Sequence, residues 1–96
     1  MCTNVTVTAD VSGSSAYDGD EWFAAQRAVV YFDHPQDAMV DHALCIDVWS
    51  ADGRRVAVEL DAASARRLVD AIGDVLGATE VQDVLQPLAV AHQRDV

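Results

Sequence analysis

Between His42 and Leu60, apolar and polar residues alternate in two runs on either side of Asp52-Gly53, and no other pattern in the chain constrains its fold as tightly. In the first run His42, Leu44, Ile46 and Val48 fall on one side of an extended backbone, with Ala43, Cys45, Asp47 and Trp49 on the other. In the second, Val56, Val58 and Leu60 point inward, and Arg55, Ala57 and Glu59 point outward. Asp-Gly tolerates the positive φ of a primed turn, so the two runs are expected to pair as an antiparallel hairpin.

Two further strands are expected upstream. Over residues 3–9, Thr3, Val5, Val7 and Ala9 share one face, while Cys2, Asn4, Thr6 and Thr8 share the other. The Gly-, Ser- and Asp-rich stretch 11–20 reads as a flexible connection, because those residues supply turn conformations and compete for backbone hydrogen bonds. Order resumes at Glu21, and Ala28-Val29-Val30-Tyr31-Phe32 is apolar on both faces, the pattern of a strand covered on two sides. Pro35 disfavours helix at His34 and ends that strand, so a loop runs to about Asp41.

Asp61 is a good helix N-cap and Gly77 sits where a C′ glycine belongs. Between them Ala65, Leu68, Val69, Ile72, Val75 and Leu76 form an apolar stripe opposite Arg66, Arg67, Asp70 and Asp74, a helix expected to pack on the inward sheet face. A second helical pattern through Val81, Val84, Leu85 and Leu88 is interrupted by Pro87, and the tail beyond His92 is expected to fray. The expected architecture is α+β: one domain over 1–78, a four-stranded antiparallel sheet packed on one amphipathic helix, followed by a helical extension over 79–96.

A chain of 96 residues, 51% of them hydrophobic, supports one modest core and gains from hiding further apolar area, so a homodimer made by stacking two sheets is expected, with Trp22, Phe23 and Trp49 inside it. The formal charge of -10 disfavours nucleic acid and anionic membrane, and favours a cationic ligand, a metal ion or a basic partner. No apolar run approaches the roughly 18 residues of a membrane span, and Met1-Cys2-Thr3-Asn4 lacks the basic start of a signal peptide, so the cytoplasm is expected. There, Cys2 and Cys45 are expected as thiols or ligands rather than a disulfide.

If the four strands run up and down in sequence order, the start of the first, the end of the second, the start of the third and the end of the fourth meet at one end of the sheet. That gathers Cys2, Asp33, His34, Asp41, His42, Glu59 and Asp61. His34 and His42 are then the candidate ligands of a zinc or iron ion, with Cys2 or Glu59 completing the shell. The competing account has His34 capping a turn, His42 hydrogen-bonded at the core margin and the acids solvated. Cys2 is also a candidate nucleophile, either paired with a histidine or exposed by removal of Met1. A third reading makes Asp47 and Glu59 a general acid/base pair beside Trp49, acting on a small-molecule ligand without a metal.

The segments Met1-Cys2-Thr3, Asp33-His34-Pro35, Asp41-His42-Ala43-Leu44, Ile46-Asp47, Arg55-Val56-Ala57-Val58-Glu59-Leu60 and Ser64-Ala65-Arg66 together resemble a family of small, uncharacterised, largely actinobacterial proteins over about the first 77 residues. The resemblance implies a compact domain and brings no activity, cofactor or active site. Some small proteins of this kind accompany natural-product pathways, which by analogy keeps an enzyme of secondary metabolism among the alternatives.

Overall fold

The computed structural model describes residues 5–85. Four antiparallel strands, β1 (Thr6–Ala16), β2 (Trp22–Asp33), β3 (Ala43–Trp49) and β4 (Arg55–Leu60), form one sheet in the order β1-β2-β3-β4. A 16-residue helix, α1 (Ala62–Gly77), and a short helical segment at 79–85 complete an α+β arrangement. The chain divides into a sheet unit that ends at Ala65 and a helical unit that begins at Arg66.

The 42–60 hairpin has the expected register, Ile46 opposite Val58 and Asp47 opposite Ala57. Its turn is of a different type from the primed turn expected. Only Gly53 takes a positive φ, 91°, while Gly53 N–H donates to Ser50 O and Ser50 N–H donates to Arg54 O. This is a type I turn followed by a single left-handed residue, which needs glycine at one position only. The Ser50 hydroxyl and the Asp52 carboxylate close the turn with Arg54.

β1 overturns the expected flexible connection. It continues to Ala16, so that Gly13, Ser14, Ser15 and Ala16 pair with Ala25, Ala24, Phe23 and Trp22. The register shifts between Asp10 and Gly13, and this bulge accommodates residues with poor strand preference. A partner strand of 12 residues supplies the hydrogen bonds that local composition argues against.

The register puts Phe23, Ala25, Arg27, Val29, Tyr31 and Asp33 of β2 on the same face as Ala43, Cys45, Asp47 and Trp49 of β3, and as Arg55, Ala57 and Glu59 of β4. The deepest positions of the sheet are on this mixed face, where Phe23, Ala25, Ala43, Cys45 and Asp47 are buried. Neighbouring side chains cover it: Tyr17 and Arg54 lie against the Phe23 ring, and Arg27 and Arg55 flank Trp49. On the apolar face Leu44, Ile46, Val48, Val56 and Leu60 are half-buried and Val58 is exposed, so the residues expected to point inward lie shallower than Cys45 and Asp47.

In α1, Asp61 caps the first turn as expected, its carboxylate accepting the Ser64 N–H at 2.6 Å. Gly77 departs from expectation. It stays within the helix without a positive φ, and Ala78 starts the next segment by accepting from Val81 and Gln82. Ala65 is buried, whereas Leu68, Val69, Ile72, Val75 and Leu76 are exposed. No helix among the described residues is long and apolar enough to cross a membrane.

Candidate functional site

Strand order brings the end of β2 beside the start of β3 through the loop 34–42, with Phe32 N–H donating to Val5 O at the described start of the chain. Within that loop two of the three expected metal ligands meet. The His34 and His42 rings lie 4.5 Å apart between centroids, tilted by 34°. The His42 ring lies nearly parallel to that of Phe32, with centroids 5.7 Å apart. His34 Nδ1 is 3.0 Å from the Asp41 carbonyl oxygen, and the Asp33 carboxylate accepts the His34 backbone N–H at 2.7 Å. The carbonyl can only accept, so His34 carries its proton on Nδ1, leaving Nε2 with a free lone pair when the ring is neutral.

Cys2, the third expected ligand, lies outside the described residues. Among the described residues no group of three or more His, Cys, Asp or Glu side chains is gathered closely enough to hold a metal ion. Asp61, also expected at this end of the sheet, is committed to the helix cap.

Glu59 has a different set of partners from any anticipated. Its Oε2 accepts the Gln36 N–H at 2.5 Å, and Oε1 accepts those of Asp37 and Ala38 at 3.0 and 3.1 Å. Three successive amides form a concave donor set of the kind that holds anions. They depress the Glu59 pKa, the Gln36 contact most, and keep the side chain ionised. Beside it opens a cavity of about 330 Å³ lined by Gln36, Asp37, Ala38, Arg55, Ala57 and Glu59.

Asp47, the other candidate acid/base residue, is two positions away on the same face, and the two carboxylates take different partners. Asp47 Oδ2 accepts the Tyr31 O–H at 3.1 Å and faces Arg55 Nη1 at 3.5 Å, while the buried Oδ1 has no hydrogen-bond partner. Burial first, then the Asp47 charge and hydrogen bond, push the Tyr31 pKa up to about 12. Cys45 is buried, its thiol 3.6 Å from the Ala43 carbonyl, and burial followed by the charges of Glu59 and Asp47 raises its pKa. A thiol held protonated in this way is a poor nucleophile.

Sequence reasoning missed Tyr31, which it absorbed into a doubly apolar strand, and the amides of 36–38, which carry no side-chain signature. The alternation had already placed Arg55 outward, on the strand that pairs with β3, a signal sufficient to find its contact with Asp47. Neither a curated protein nor a solved structure matches the chain. A family model does match, over residues 1–85, and the chain belongs to that family, Family of unknown function (DUF6295).

Proposed function

We propose that this chain is a small metal-binding protein in which His34 and His42 hold a divalent transition metal, zinc in the first instance, with Cys2 as the third protein ligand. The observation that carries the reading is the pair of imidazoles 4.5 Å apart, one oriented by a backbone carbonyl. An Nδ1–H bonded to a carbonyl is the outer-shell arrangement that fixes the tautomer of a ligating histidine and turns Nε2 toward the metal. Cys2 stands three residues before Val5, whose carbonyl bonds to Phe32, and three residues of chain reach about 10 Å. A set of two imidazoles and one thiolate suits zinc and leaves a fourth position open to water or a substrate, the condition for metal-assisted hydrolysis. A thiolate ligand fits the reducing cytoplasm.

Zinc titration of chelator-treated, tag-free protein tests the reading. Saturable binding that is weakened by His34→Ala, by His42→Ala and by Cys2→Ser supports it. Absence of binding, with thermal stability unchanged in a chelator, overturns it.

A second reading concerns assembly, and the exposed stripe of α1 favours it. Val69 and Val75 are 66% and 62% exposed, and an apolar helical face of this kind gains stability by association. A second copy of the chain presents the same stripe and would form a homodimer with two-fold symmetry. Sedimentation measurements on wild type and Val69→Asp distinguish a dimer that dissociates on substitution from a monomer in both cases.

A further inference from the structure

The loop 34–42 has no helix or strand of its own, yet it holds two imidazoles with ring centroids 4.5 Å apart. Within it, Pro35 restricts only its own backbone and that of His34. The His34 Nδ1 bond to the Asp41 carbonyl closes the loop on itself, and a further constraint comes from outside. Glu59 on β4 takes the backbone N–H groups of Gln36, Asp37 and Ala38, so one carboxylate fixes three consecutive peptides between the two histidines. Glu59 is held in turn by β4, where it pairs with Cys45, a buried residue of β3.

We infer that Glu59 is the positioning residue of the His34–His42 pair: its two oxygens accept three successive backbone amides and so tie the loop between the histidines to the sheet. The inference rests on the metal reading for its functional consequence, though not for its geometry. Charge-assisted bonds to one carboxylate are stronger than neutral ones, and a loop clamped at 36–38 loses less entropy when its histidines take up an ion. The same clamp explains an acidic residue facing outward on β4, where it would otherwise be only a solvated charge.

The test compares wild type, Glu59→Ala and Glu59→Gln as full-length, metal-free protein. It reads the ring-to-ring nuclear Overhauser effect between His34 and His42, amide hydrogen exchange, and zinc affinity. In Glu59→Ala the ring contact should disappear and the amides of 36–38 should exchange at least about tenfold faster, while the β3 amides keep their rates. Zinc affinity should fall about tenfold or more. Glu59→Gln retains one acceptor oxygen and should restore part of each effect.

An unchanged ring contact and unchanged loop exchange in Glu59→Ala would overturn the inference. Equal acceleration of the β3 amides would also overturn it, since that is general destabilisation. If wild type takes up no zinc but the ring contact still depends on Glu59, the metal reading falls and the positioning role stands. If zinc binds Glu59→Ala as tightly as wild type, the positioning role falls and the metal reading stands.

Discussion

At the scale of single residues, the mixed sheet face is a set of side chains that control one another's ionisation. Tyr31 donates to a buried carboxylate, and its folded pKa of about 12 stands above the ordinary value of 10. The protonated phenol is the form that the fold favours, so its contribution is fully present below pH 10 and is lost as pH rises from 10 to 12. Ultraviolet titration should find this phenol ionising near 12, and Tyr31→Phe should remove that alkaline step from the stability profile. The same substitution leaves Asp47 with Arg55 as its remaining polar partner and should cost about 1–2 kcal/mol in urea unfolding at neutral pH. Glu59 has the opposite sign. Its folded pKa is depressed, so its hold on the loop persists above the ordinary glutamate range and is lost as pH falls through the lowered value. Protection of the 36–38 amides, taken relative to their intrinsic exchange rates, should therefore fall on acidification only below the ordinary glutamate pKa, and this step should be missing from Glu59→Ala.

At the scale of elements, glycine and capping positions carry local stability. Gly53 at φ 91° is strained for any residue with a Cβ, although the space beside it is open, so Gly53→Ala should destabilise by about 1 kcal/mol through the backbone alone. Asp61→Ala should cost about 1 kcal/mol, visible as faster exchange in the first turn of α1. The hairpin and the helix were legible in sequence because their signals are local: alternation across Asp52-Gly53, and a cap before a helical stripe. The second half of β1 was not, because Val11-Ser12-Gly13-Ser14-Ser15 becomes a strand only through Phe23 and its neighbours across the ladder. Depth was not legible either. Alternation assigned Cys45 and Asp47 correctly to one face, but it cannot show that arginines and loop residues from elsewhere in the sheet unit cover that face. The meeting of His34 with His42 did follow from sequence, since antiparallel strands joined in order must bring those chain segments together. The clamp that holds the loop did not follow, because a carboxylate bound to backbone amides leaves no pattern in side-chain identity.

At the scale of the whole molecule, a charge of -10 and a pair of imidazoles carried at one end of the sheet suit capture of a cation. The exposed stripe of α1 makes a separate claim: Ile72→Asp or Val69→Asp should leave a dimer dissociated without altering zinc uptake, which sedimentation and titration read independently. Calorimetric titration of zinc into metal-free wild-type, His34→Ala and His42→Ala protein reads the proposed metal site itself. About one zinc ion should bind per chain in wild type, with proton release on binding and affinity about tenfold or more weaker in either variant. Zinc uptake that is absent in wild type, or identical in all three proteins, would contradict it.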